Sequence, residues 1–147
     1  MHFVSMARVF LLTAGIFSAA NTAMGEPSQI SDHGIAFGRS RHFSGILVST
    51  VEGEKFAECD RSNDVACMTG YEGDEKIFNG VRCAPSACLD LEKRIKQRVG
   101  PYRWGALFAL EFIGRRSTHE TPTTFIEDTK NKVYIERITY FAVIKTH

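Results

Sequence analysis

No hydrophobic run in this sequence is long enough to span a membrane, which takes about 20 apolar residues. The longest run covers residues 9–20, and the first 25 residues contain no acidic side chain and only Arg8 as a formal charge. A short apolar run behind a basic residue, followed by small residues such as Ala23 and Gly25, is typical of a cleaved signal peptide. We therefore predict that residues 1–25 are a signal peptide and that the mature protein is periplasmic or secreted. A buried N-terminal helix is the alternative, and acid-free flanks argue against it.

The sequence also lacks an excess of charge of either sign. It contains 18 Lys and Arg against 17 Asp and Glu, and loss of Arg8 with the signal peptide would make the two counts equal. This balance gives no global reason to expect nucleic acid or an anionic membrane as a partner. The chain that remains after cleavage is long enough for one domain with its own core.

Motifs that mark common catalytic sites are missing as well. The sequence contains no GxSxG, no SxxK and no HExxH, which would indicate a nucleophile or a zinc site. A general base needs a fixed position, and the histidines of the mature part fall in expected flexible or polar segments or at the C-terminus. We therefore predict no catalytic residue, no metal site and no cofactor. These histidines are His33, His42, His119 and His147.

The four cysteines all lie in the mature part, within 30 residues of one another. An even number of cysteines in an exported chain favours disulfides, because the compartment is oxidising. Three pairings are open, and we favour Cys59–Cys67 with Cys83–Cys88 because each would close a short, turn-rich loop. Zinc is the competing interpretation, but the paired CxxC spacing of zinc knuckles is absent.

The first part of the mature chain predicts an irregular segment followed by strands. Residues 26–41 mix Pro, Ser, Gly and charge without a period, which is typical of a flexible N-terminal arm. Residues 43–51 are apolar and β-branched, and residues 55–59 follow after a turn, so we predict two strands. Residues 60–82 contain many glycines and charges, which indicates a loop with at most one short strand. Residues 42–147 are expected to form a single disulfide-braced domain.

One helix is predicted, beginning at Pro85 and Ser86. Ser86 is a suitable N-cap, and Leu91 and Ile95 lie on an apolar stripe at three-to-four spacing. Gly100, followed by proline, would end this helix.

Two long strands complete the pattern. Residues 103–114 are apolar at nearly every position, as expected of a central or strongly curved strand. Residues 132–145 alternate with a shift of frame at 136–137, which predicts a β-bulge. The order of elements predicts a β-rich α+β fold, a small OB-like, partly open barrel with one helix.

Cations and aromatic side chains alternate between the helix and the strand that follows it. Phosphates pair with arginine and flat rings stack on bases or sugars, so such a cluster can hold an anionic ligand. The alternative is a charged outer helix face beside aromatic residues of the core. The candidate ligand-binding residues are Lys93, Arg94, Lys96, Arg98, Tyr102, Arg103, Trp104 and, after the next strand, Arg115.

Four short stretches, residues 43–47, 54–59, 91–92 and 112–115, resemble a periplasmic OB-fold domain. The most similar family is the C-terminal domain of NlpE-type envelope-stress and copper-resistance lipoproteins, over residues 42–145 in outline. The resemblance implies an OB fold, a periplasmic location and non-enzymatic binding. The chain lacks the family's lipid-attachment cysteine and its N-terminal CxxC domain, so surface attachment and copper handling are not expected to carry over.

The functional prediction is thus an exported, non-enzymatic binding module of the bacterial envelope. Its partner would be an envelope protein or an anionic envelope ligand. The alternative is a small secreted hydrolase, similar to a nuclease, on an OB barrel. A third interpretation, a thiol-based metal or redox protein, requires the four cysteines to be reduced.

Overall fold

A computed structural model describes residues 29–51, 53–68, 78–101, 103–122 and 129–146. The predicted signal peptide lies outside the described residues. The elements are β1 (Ile30–Asp32), β2 (Ile35–Phe37), β3 (Arg41–Thr50), β4 (Gly53–Glu58), a 3₁₀ turn (Val65–Met68), β5 (Phe78–Cys83), α1 (Pro85–Val99), β6 (Leu107–Arg116) and β7 (Asn131–Lys145).

Five strands form a closed barrel in the order β3-β4-β5-β7-β6, and β6 pairs back with β3. All pairs are antiparallel except β5 with β7, which run parallel. Helix α1 connects β5 to β6, the third and fourth barrel strands in chain order. Over the residues that the structure describes, the protein is therefore a small OB-like barrel with one α-helix, as predicted. It is closed rather than partly open, because β3 and β6 share an eight-residue ladder from Arg41 to Val48.

Aromatic side chains fill the interior of the barrel. Phe43 stacks on Phe112 with ring centroids 4.9 Å apart, and Phe56 meets Phe112 edge-on at 5.0 Å. Helix α1 adds Leu91 and Ile95 to the same core. The apolar stripe of the helix thus closes one end of the barrel, which we call the helix end.

The helix ends as predicted but begins differently. Gly100 has a φ of 71° and donates its N–H to the carbonyl of Lys96, a conformation that favours glycine. Ser86 does not cap the helix: the N-cap position is Ala84, with no side-chain hydrogen bond. Pro85 occupies the first helical position, where its fixed φ and missing N–H are tolerated, so Ser86 already lies inside the first turn.

The bulge predicted in the last strand is confirmed. Ile113 pairs with Arg137 and Gly114 pairs with Ile135, so Glu136 is the extra residue of β7. A bulge of this kind bends a strand and increases its twist. The bend allows β7 to pair with β6 on one side and β5 on the other.

The predicted N-terminal arm is wrong over residues 30–37, which form the β1–β2 hairpin. His33 and Gly34 both have positive φ, 47° and 80°, as in the tight turns that match the twist of a hairpin. Phe37 is fully buried and its ring lies 5.3 Å from that of Tyr134. Phe37 also bridges Ser117, so the hairpin packs at the C-terminal end of β6, whereas the helix leads into the start of β6. We call this C-terminal end the hairpin end.

Tyr134 also carries a shifted pKa. Burial raises the pKa of its phenol, and the carboxylates of Asp32 and Glu136 raise it further, while the Arg115 guanidinium acts in the opposite direction. The hairpin and its surroundings therefore favour the neutral phenol.

Both predicted disulfides are present. Cys59–Cys67 and Cys83–Cys88 join α-carbons 5.8 and 5.4 Å apart. The first bridge ties a loop over the outer face of the barrel, where Met68 and Phe78 form a second small core with outward residues of β3 and β4. The barrel is thus braced on its side as well as filled inside.

We expect the Cys59→Ser, Cys67→Ser double variant to lose about 2–3 kcal/mol of unfolding free energy, because the bridge restricts a short loop in the unfolded chain. Urea denaturation followed by circular dichroism measures the loss. For the wild type, intact mass after thiol alkylation should show no label before reduction and label on all four cysteines after it. Labelling without reduction would contradict the disulfide assignment.

Candidate functional site

The connection between α1 and β6 is fixed against the turn between β3 and β4. The Gly105 N–H donates to the Ser49 carbonyl at 2.7 Å, and the Ser49 N–H donates to the Ala106 carbonyl at 3.1 Å. These two bonds hold Trp104 at the helix end, next to the residues that follow Ser49.

Trp104 is on the surface and not in the core. Its exposed fraction is 63%, and that of Val51, in the adjacent turn, is 74%. Two large apolar side chains therefore face solvent at the same end of the barrel. Of the two interpretations of the aromatic cluster, the core interpretation is wrong for Trp104.

Arg103 lies beside a shallow cleft between the helix and the barrel. Its Nη2 is 3.5 Å from Glu54 Oε1, and both side chains are partly buried. The cleft has a volume of about 230 Å³. Its lining is Glu54, Val81, the Cys83–Cys88 disulfide, Leu91, Glu92, Ile95 and Arg103.

The basic residues of α1 do not form one patch. Lys93 and Lys96 are exposed and, at 3.6 residues per turn, lie on the side of the helix opposite Leu91. Arg94 pairs with Asp90, with Nε 2.9 Å from Oδ1. Arg98 is exposed in the last turn, six residues before Trp104 in the chain.

A further cation reaches this end from a distant part of the sequence. Lys145 is exposed and pairs with Leu107, the first residue of β6. The alternating pattern of residues 132–145 predicted strand β7, but it did not predict that the end of β7 pairs with the start of β6. Neither Lys145 nor Val51 was therefore among the predicted site residues. We call Val51, Arg98, Arg103, Trp104 and Lys145 the helix-end surface.

Arg115 does not belong to this surface. It lies eight residues further along β6 than Leu107, about 27 Å at the rise of a strand, and only 1% of it is exposed. It pairs with Glu136 and donates to the Gly38 carbonyl at 3.0 Å. The predicted ligand-binding role of Arg115 is corrected to a structural one, because β6 extends through it into the hairpin end. Tyr102 lies outside the described residues.

Two further observations concern metal ligands and membrane-spanning helices. Within the described ranges, no three His, Cys, Asp or Glu side chains lie together in a way that could hold a metal ion. In the same part of the chain, no helix has both the length and the apolar character needed to cross a membrane.

Comparisons with protein-family models, with curated proteins and with solved structures find no match to this chain. The functional argument therefore rests on the OB-like barrel and on the side chains that it exposes.

Proposed function

We propose that this protein is an exported, non-enzymatic binding module of the bacterial envelope, which recognises an envelope protein or an anionic envelope ligand through its helix-end surface. The exposure of Trp104 is the observation that carries the proposal. A tryptophan that is 63% exposed, at the same end of the barrel as the exposed Val51, is not part of the barrel core, and it offers a large apolar area to a partner.

The charges around Trp104 favour an acidic partner. Arg98 and Lys145 are exposed, and Arg103 is offset only by Glu54 at 3.5 Å. Trp and Arg are the residue types that most often dominate binding energy at interfaces. A carboxylate or phosphate near Trp104 would gain charge-assisted hydrogen bonds from these side chains.

Export is supported by the sequence of residues 1–25 and by the two disulfides, which persist in oxidising compartments. The resemblance of residues 42–145 to the NlpE-type C-terminal domain supports a periplasmic binding role. Both arguments are independent of the helix-end surface.

Trp104→Ala is expected to change the unfolding free energy by less than about 0.5 kcal/mol, because the side chain is exposed. It should weaken retention of the envelope partner by about 30-fold, or 2 kcal/mol, as for a central tryptophan of an interface. The purified protein is immobilised, and the amount of partner that it retains from a solubilised envelope extract is measured. Purified phosphatidylglycerol vesicles serve as a defined anionic probe.

The matched control is Lys130→Ala, which removes an exposed cation at the N-terminal side of β7. It should leave retention unchanged. Equal retention by wild type and Trp104→Ala would refute the helix-end surface. Cleavage of nucleic acid that depends on divalent ions would instead favour the alternative, a nuclease-like hydrolase.

A further inference from the structure

A second polar site lies on the side of the barrel, on the outer face of three neighbouring strands. Glu111 of β6 pairs with Ser44 of β3 and with Tyr140 of β7. Glu111 stands between the fully buried Leu110 and Phe112, so its side chain points outward. Since neighbouring strands are about 4.8 Å apart, the three residues form a row across about 10 Å of rigid sheet.

The loop closed by the Cys59–Cys67 disulfide borders this row of residues. The Cys59 N–H donates to the Ser44 carbonyl at 2.9 Å, which brings the loop onto β3. The buried Ser62 then donates its hydroxyl to Glu111 Oε1 at 2.8 Å. The cleft between loop and sheet has a volume of about 450 Å³. It is bordered by Asp60, Arg61 and Ser62 of the loop and by His42, Glu111 and Tyr140 of the strands.

The Glu111 carboxylate is held in place by Ser62 and His42, and it can still accept further hydrogen bonds. Ser62 uses one site on Oε1, and His42 Nε2 lies 3.4 Å from Oε2. A carboxylate accepts about four hydrogen bonds, so roughly two sites are left for ligand hydroxyls. Tyr140 is 47% exposed in the same cleft and offers an aromatic face next to this carboxylate.

The charges of the lining argue against an anionic ligand. The lining contains two carboxylates, Asp60 and Glu111, and one guanidinium, Arg61, while His42 already faces Glu111. The aromatic ring of Tyr140 lies next to the acceptor oxygens of Glu111, on a row of about 10 Å that can hold two sugar rings. This arrangement fits a polyhydroxylated ligand whose rings have one apolar face. We propose that this cleft binds a neutral saccharide, with one hexose ring stacked on Tyr140 and neighbouring hydroxyls donating to Glu111.

This site is independent of the proposed helix-end surface. It is built on β3, β6 and β7, whereas OB barrels usually bind oligosaccharides and oligonucleotides on the face of their second and third strands, here β4 and β5. Failure of either proposal leaves the other untouched.

The test is a titration of the 15N-labelled exported protein with three neutral trisaccharides, cellotriose, maltotriose and N,N′,N″-triacetylchitotriose, followed by NMR. Each is raised to about 20 mM, above the dissociation constant of about 1 mM expected for a weak single-ring contact. At least one should shift the amide signals of Ser44, Ser62, Glu111 and Tyr140. Absence of these shifts with all three sugars would overturn the proposal.

Variants separate stacking from hydrogen bonding. Tyr140→Ala and Glu111→Gln should each weaken binding at least about tenfold, whereas Tyr140→Phe should retain it. Trp104→Ala should bind as wild type does, and shifts confined to Trp104 would overturn the cleft assignment. Thermal melting of each variant confirms that it is folded, and binding unaffected by Tyr140→Ala in a folded protein would also overturn it.

Discussion

Replacing Arg115 with alanine is expected to destabilise the protein by about 3 kcal/mol, the lower end of the usual cost of removing one partner of a buried ion pair, because Glu136 is partly exposed. The guanidinium is 1% exposed and pairs with Glu136, the bulged residue of β7. Ser40 also donates to the Glu136 carboxylate, at 2.5 Å. Loss of the cation would leave this carboxylate without its buried counter-charge.

The same side chain connects the barrel to the N-terminal hairpin. Arg115 Nη1 donates to the Gly38 carbonyl, and the Gly38 N–H donates to the Arg116 carbonyl at 2.9 Å. In Arg115→Ala, the Gly38 carbonyl loses its guanidinium donor. The hairpin should therefore loosen together with the barrel, which hydrogen exchange of Phe37 can report.

Arg116→Ala is the matched control. Arg116 is exposed and pairs with Glu58, which also accepts from Arg41 at 2.8 Å. Exposed ion pairs contribute about 0–1 kcal/mol, so Arg116→Ala should lower the unfolding free energy only slightly. Urea denaturation measures this change. If Arg115→Ala were as stable as wild type and lost only partner binding, Arg115 would return to the binding surface.

Local patterns were sufficient to predict most of the barrel. Alternation and β-branched residues identified β3 and β7, and the shift of frame at Glu136 identified the bulge, because side chains alternate with a period of two along a strand. The disulfide pairing was predictable because Cys59–Cys67 and Cys83–Cys88 close loops of only a few residues.

The hairpin was missed because its strands are three residues each, too short for a period to be visible. Its turn at His33 uses a non-glycine residue with positive φ, a rare conformation for most side chains. The stability of the hairpin comes from Phe37 packing on Tyr134, a contact between residues almost 100 positions apart.

The sites depend even more on long-range pairing. Trp104 and Arg115 flank one apolar run, and the sequence alone does not tell which of them is buried. The answer depends on how far β6 extends and on which end of the barrel the hairpin covers. The cleft joins Ser62, Glu111 and Tyr140 through the register of β6 with β7. This register also shifts between Glu111 and Phe112, an irregularity that the pattern around Glu136 did not predict.

Phe112→Ala is expected to cost about 3–5 kcal/mol of unfolding free energy, the usual range for removing a buried phenylalanine. The ring is fully buried and contacts both Phe43 and Phe56, so its loss leaves a cavity at the centre of the barrel. It also removes two aromatic contacts worth about 0.5–1.5 kcal/mol each beyond area burial. The midpoint Tm should fall by more than about 10 °C.

Trp104→Ala is the informative comparison, because it removes a larger ring than Phe112→Ala does. Its expected cost is below about 0.5 kcal/mol, since Trp104 is 63% exposed at the helix end. Far-UV circular dichroism is the appropriate measurement, as Trp104 is the only tryptophan and an exposed ring reports the core poorly. Equal losses in the two variants would mean that Trp104 packs in the core, and the helix-end surface would then lose its central residue.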